Sequence, residues 1–219
     1  MKRVAVCPVI LALATTVAVA QSSASFSADI VTTSCAIDNN GALTGGNQSP
    51  GNILDTYVQP PSSSSTALLI RPSLVTGLFT DTKLVSGGSN TSTAATGVRI
   101  FVMMDGKPVA PDTGKGVVYE ERFQQLSSNL RNQITSCLDS PTATTSSPCY
   151  FDLLQSTLSA HSMDFVAPSV GGGTHHLQVS WEVVNVPTSN GTVASCVGPG
   201  SLTVEQVKNF SQNSVITIQ

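Results

Sequence analysis

Gly171-Gly172-Gly173-Thr174-His175-His176-Leu177-Gln178-Val179-Ser180-Trp181-Glu182-Val183 opens a stretch that runs through Pro187, Asn190 and Gly191 to Ser201-Leu202-Thr203-Val204-Glu205-Gln206-Val207. Side chains alternate between faces along a β-strand. Leu177, Val179, Trp181 and Val183 therefore share one face, and His176, Gln178, Ser180 and Glu182 the other. That is the pattern of a half-buried antiparallel strand with the single Trp of the chain turned into the core. Glycines before it and turn residues after it predict a hairpin whose second strand is 201–207.

Working outward, the same grammar repeats. Ser25 to Thr33 reads as a first strand with Phe26, Ala28 and Ile30 on one face. Asp38-Asn39-Asn40-Gly41 and Gly45-Gly46-Asn47 are turn chemistry inside a long loop. Ile53–Val58 is a short strand, and Thr66–Ile70 and Leu74–Leu84 are strands divided near Pro72. Gly87–Thr96 reads as a polar loop. Val98–Met104 is apolar on both faces, as a central strand should be, and Asp105-Gly106 is a strong hairpin signal. Val109, Val117–Tyr119 and Phe123–Ile134 read as return strands, Ser162–Ala167 and Val215–Ile218 as later ones. Phe151, Leu154 and Leu158 fall at helical spacing, so Phe151–Leu158 reads as at most one short helix or equally as a strand edge. Many short strands at close spacing predict an all-β antiparallel β-sandwich of jelly-roll-like form, a single domain over residues 21–219.

Residues 1–20 are set apart. Lys2 and Arg3 precede the apolar run Val4–Val17, and Ala18-Val19-Ala20 fits a cleavage site. A signal peptide cleaved near Ala20 is expected, with a secreted, extracellular or periplasmic product. No other apolar run reaches the roughly 18 residues of a membrane helix. Of the five cysteines, Cys7 lies in this leader, and Cys35, Cys137, Cys149 and Cys196 remain. An even number behind a leader suggests two disulfides among three connectivities. The short Ser/Thr/Pro-rich loop between Cys137 and Cys149 favours that pair, which leaves Cys35 with Cys196.

The chain has 10 basic and 13 acidic residues, a formal net charge of −3, and no basic cluster. Nucleic acid and an anionic membrane surface are therefore poor partners. The candidate chemistry is sparse. His175 and His176 are neighbours in a strand and point to opposite faces, so they do not converge on one metal. His161 stands apart, and no Gly-x-Ser-x-Gly elbow is present. Glu120-Glu121 fall on opposite strand faces, whereas Glu182 and Glu205 would face each other across a C-terminal hairpin. The Asp38–Gly41 turn is an alternative calcium loop, and Tyr57, Tyr119 and Tyr150 are the only tyrosines that a sugar could stack on. Asn47, Asn90, Asn190 and Asn209 open Asn-x-Ser/Thr sequons.

The run Thr-His-x-Leu-x-Val-x-Trp followed by Ser-Leu-Thr-Val-x-x-Val resembles the closing hairpin of jelly-roll and β-sandwich domains in secreted, fibre-tip-like and collagen-associated proteins. Asp105-Gly106 and Leu158–Phe165 fit the same picture. The resemblance implies a structural or recognition role, homo-oligomer formation and no transferable catalytic residues. The expectation is a secreted, non-enzymatic β-sandwich with a protein or glycan partner, no cofactor and no metal. The alternatives are a carbohydrate-binding module and, after it, a secreted hydrolase.

Overall fold

The computed structural model describes residues 25–61, 66–85, 91–127, 150–184, 188–189 and 191–208. These residues form an all-β fold of strands β1 (Phe26–Val31), β2 (Cys35–Ile37), β3 (Leu43–Gly45), β4 (Gly51–Val58), β5 (Thr66–Val85), β6 (Ser92–Met104), β7 (Lys107–Pro108), β8 (Val117–Leu126), β9 (Tyr150–Ser162), β10 (Phe165–Ala167), β11 (His175–Val183) and β12 (Gly191–Lys208). Two antiparallel sheets face each other. The first runs β1-β12-β5, with β10 and β9 both along the far edge of β5. The second runs β4-β11-β6, with β7 and β8 both along the far edge of β6. The small β2–β3 hairpin lies over the first sheet, tied to it by a Cys35–Cys196 disulfide.

The apolar core follows from alternation. Leu177, Val179 and Trp181 of β11 point inward, together with Leu54 and Val58 of β4 and Ile100 and Val102 of β6. Opposite them stand Leu68, Ile70 and Leu74 of β5, Phe165 of β10, and Leu202 and Val204 of β12. Farther along β5 the inward positions Thr76, Thr80 and Thr82 alternate with the buried Leu78 and Leu84, and this half of the interior mixes hydroxyls with apolar side chains. Thr96 and Ser195 share a hydrogen bond of 2.6 Å across the sheets, and Thr80 donates to Gln124 Oε1 at 2.6 Å. Buried hydroxyls are tolerated where they find such partners.

The two sheets meet along two seams, where side chains from one sheet take up backbone groups of the other. At the β8–β9 seam Arg122 donates to Gln155 O at 3.0 Å and Gln124 to Leu153 O at 3.1 Å. The single Tyr119 O–H lies between two carbonyl acceptors, Pro72 O at 2.9 Å and His161 O at 2.7 Å. At the β1–β4 seam Asp29 Oδ2 accepts the Asp55 N–H at 2.8 Å, and Ser25 donates to Gln59 O at 2.7 Å. An open strand edge invites pairing with other chains, and these contacts blunt it.

Several sequence-based expectations change. Strands β11 and β12 do not pair with each other: β11 lies between β4 and β6, and β12 between β1 and β5. The expected closing hairpin is therefore a crossing between sheets. Of the short helix and the strand edge that Phe151–Leu158 allows, the structure has the strand, β9, paired with β5 from Ser73↔Ser162 to Val85↔Tyr150. A long partner satisfies its backbone, so the weak helical spacing is overridden. Strand β5 runs unbroken through Pro72, which pairs with Leu202 of β12 on one side. On its other side β9 has ended at Ser162 and β10 has yet to begin at Phe165. Proline, lacking an N–H, fits where the ladder is interrupted. Cys35–Ile37 and Leu43–Gly45 pair inside the expected long loop, and β6 already starts at Ser92 inside the expected polar loop. The Asp105-Gly106 turn is present with both residues at positive φ, 51° and 76°, the primed geometry of a two-residue hairpin. Residues 1–24, Cys137, Cys149 and Val215–Ile218 lie outside the described residues.

Candidate functional site

The open outer face of the second sheet carries the densest group of exposed functional side chains among the described residues. Its geometry begins with cross-strand pairing. Tyr57 of β4 lies opposite His176 of β11, and Asp55 lies opposite Gln178. A register shift at Val179/Ser180 brings Asn52 opposite Ser180. Tyr57 and His176 stack with ring centroids 4.6 Å apart and planes 16° from parallel. His176 Nε2 is 2.7 Å from Asp55 Oδ1. Asp55 Oδ2 accepts from Asn52 at 3.3 Å and Gln178 at 3.2 Å. Asp29 of β1 holds the Asp55 backbone. The hydrogen bond with His176 is the largest cause holding the Asp55 carboxyl below its usual range, with Gln178 and Asn52 acting in the same direction. Each partner fixes the next, so Tyr57 is 61% exposed yet its ring is locked on one side.

His175 turns to the other side of the strand, as alternation requires. Its Nδ1 is 2.7 Å from Asp105 Oδ2, and its Nε2 is 3.1 Å from Gly171 O. Both ring nitrogens face acceptors, and only the imidazolium supplies a donor to each. The Asp105 hydrogen bond is the main cause that raises the His175 pKa above its ordinary 6.5. The same contact, followed by the His176 N–H on Asp105 Oδ1, lowers Asp105. The pH consequence follows by linkage. The His175 contribution to stability is full below about pH 6.5 and is lost as pH rises through its raised folded value. The Asp105 contribution is present above about pH 4 and is lost as pH falls through its lowered folded value. Thermal unfolding of wild type should therefore fall off slightly between pH 6 and 9 relative to His175→Ala. With the Asp105 side chain 47% exposed, the effect stays under about 1 kcal/mol. Parallel pH profiles of the two proteins would refute the pairing.

The third histidine sits in the β8–β9 seam. His161 Nε2 lies 3.6 Å from Glu120 Oε2, and the Tyr119 ring meets the His161 ring edge-on at 5.5 Å. Burial pushes the Tyr119 phenol up. Thr76 and Ser159 both donate to the Glu120 carboxylate. A nucleophile would need its hydroxyl on the imidazole, and here the hydroxyls go to the carboxylate. The grouping cross-links the sheets.

The other carboxylate pairings fall out differently. Glu182 and Glu205 belong to separate sheets, so they do not face each other. Glu121 is exposed, whereas Glu120 is turned into the seam. The carboxyls that do meet are Asp81 and Asp152, whose hydrogen bond, with burial second, raises Asp81 to about 6. They belong to β5 and β9, whose register no local pattern announces. The Asp38–Gly41 segment is a turn: Asp38 Oδ1 accepts the N–H groups of Asn40 and Ala42, each at 2.8 Å. The sequence pattern missed the Tyr57–His176 platform. Its one available signal was a Tyr and an Asp two apart on a strand, ahead of a His-x-Gln on another.

No protein-family model and no curated protein matches this chain.

Proposed function

We propose that this chain is a secreted, non-enzymatic β-sandwich of recognition type, and that its contact surface is the outer face of the β4–β11–β6 sheet. The observation that carries this reading is the held, exposed Tyr57. A large aromatic ring left in solvent gains little from burial. Four side chains and a backbone contact nevertheless fix its surroundings. Rigid, pre-oriented groups on a sheet are what a binding surface needs. The disulfide agrees with an extracellular location. No described helix is long and apolar enough to cross a membrane. The leader-like residues 1–20 add a route to export.

The test uses purified residues 21–219 on a printed oligosaccharide array and a displayed random-peptide library. Ligands should be retained by wild type and by Phe26→Ser, which alters the opposite sheet. They should be lost with Tyr57→Ala/Gln178→Ala, whose thermal midpoint should match wild type. Ligands indifferent to the double variant would place recognition elsewhere. Chemical turnover of a retained ligand would replace the reading with an enzymatic one.

A further inference from the structure

We infer that the Tyr57 face takes a glycan chain built from pyranose rings without acidic groups, laid along β4. This rests on the recognition reading above and names its ligand class. Three observations carry it. First, His176 covers one face of the Tyr57 ring, and with the residue 61% exposed its remaining surface is open to solvent. A flat apolar ring face of this kind accepts the axial C–H face of a sugar, and the phenol at its edge suits a wet contact.

Second, the groups beside the ring form a bidentate set. Asp55 lies two residues from Tyr57 on the same side of β4, and Asn52 and Gln178 both donate to its Oδ2. Each of those amides keeps a second N–H and a carbonyl oxygen, and Asp55 Oδ1 has accepted only from His176. Fixed amide and carboxylate groups of this sort match vicinal hydroxyls, each of which donates and accepts. From Tyr57 to Asn52 the strand covers roughly 15 Å, enough for a short run of rings and longer than a single one.

Third, the charge decides which glycans fit. Between Tyr57 and Asn52 the face presents the Asp55 carboxylate beside His176, Gln178, Ser180, Phe101 and Met103, and the basic Arg99 of β6 lies beyond Phe101, opposite Glu182. The hydrogen bond with His176 lowers the Asp55 carboxyl from its ordinary range. An anionic chain would meet the like charge of the Asp55 carboxylate, which complementarity disfavours. A neutral chain meets no such penalty, and an amine-bearing one gains attraction.

The experiment is isothermal titration of residues 21–219 with three hexasaccharides: a neutral hexopyranose chain, a hexosamine chain and a hexuronate chain. Neutral and amine chains should bind, and the uronate chain should bind at least tenfold more weakly. Tyr57→Ala should weaken the neutral chain roughly tenfold to a hundredfold, the range of an aromatic anchor, while Tyr57→Phe keeps most of the affinity. Asp55→Asn should narrow the gap between neutral and uronate chains. Preferential binding of the uronate, or binding indifferent to Tyr57→Ala, would overturn the inference. Loss of a peptide ligand in Tyr57→Ala, with no glycan bound at millimolar concentration, would overturn the glycan assignment and leave the recognition surface standing.

Discussion

Trp181→Ala should lower the unfolding free energy by about 3–5 kcal/mol. The ring is 0% exposed and is the largest fully buried side chain in the described fold. It sits in β11 opposite Ile100 of β6 and shares the apolar cluster with Leu54, Leu202 and Phe165. Truncation removes the transfer term of the indole and leaves a cavity between two sheets whose ladders hold them in place, so collapse is limited. Trp181→Phe separates volume from chemistry. The indole Nε1 is buried without a hydrogen-bond partner among the described residues. Losing that N–H offsets part of the lost volume, and the phenylalanine variant should lose well under half as much as the alanine one. Urea unfolding of the three proteins checks both statements. A loss below about 1 kcal/mol in Trp181→Ala would place the ring outside the structural core.

This residue also marks how much could be read before the structure. Trp181 stands in a strand whose alternation runs uninterrupted from His175 to Val183, and both the strand and its buried face came from that pattern alone. Asp105-Gly106 was equally legible, because only a tight primed turn wants positive φ at two successive positions. What could not be read is anything that depends on partners distant in sequence. Strands β11 and β12 read as a local hairpin and do not pair, since each goes to a different sheet. Strand β9 looked helical because Leu154 and Leu158 sit four apart, yet in a strand that spacing simply puts both on one face. On that face they meet the β2–β3 hairpin: a side chain at Gly41 would strike Leu154, and one at Gly77 would approach both Leu43 and Leu158. The face of β1 that carries Phe26, Ala28 and Ile30 is real, but it turns outward, with Phe26 64% and Ile30 68% exposed. Its partner-side face holds Ser27 and Asp29, which bond to Thr56 and to the Asp55 backbone. Polarity alone would have chosen the opposite orientation. The candidate site suffers the same limit. Tyr57, Asp55, His176 and Gln178 are drawn together by the β4–β11 register, which pairs residues more than a hundred positions apart in the chain.

The Cys35→Ala/Cys196→Ala variant should be less stable than the oxidised protein by about 2–5 kcal/mol, and the chain-entropy argument puts the figure near the top of that range. The bridge closes a separation of 161 residues, so breaking it releases the unfolded chain from a constraint spanning most of the described fold. The native side of the balance points the same way. Strands β2 and β3 have three residues each, too little for a hairpin to stand alone. Its anchor is Cys196, fully buried on the central strand β12, with Gly77 of β5 directly opposite. A Cβ at Gly77 would come within 2.6 Å of Cys196 Sγ, so this close approach depends on glycine. Without the bridge the hairpin keeps the Asn47–Val197 bridge and its contacts near Leu154 and Leu158. Reductant is the wrong tool here, since Cys137 and Cys149 would be exposed to it as well. Guanidinium unfolding of the double alanine variant isolates the one bond. Two readouts should move together: the midpoint falls, and the denaturant slope rises because the uncrosslinked chain exposes more surface when unfolded. Amide exchange in 35–45 should quicken before the β5–β12 ladder is affected. An unchanged midpoint, together with unchanged exchange in 35–45, would mean that the hairpin is held by its packing on the first sheet and that the cross-link adds nothing to it.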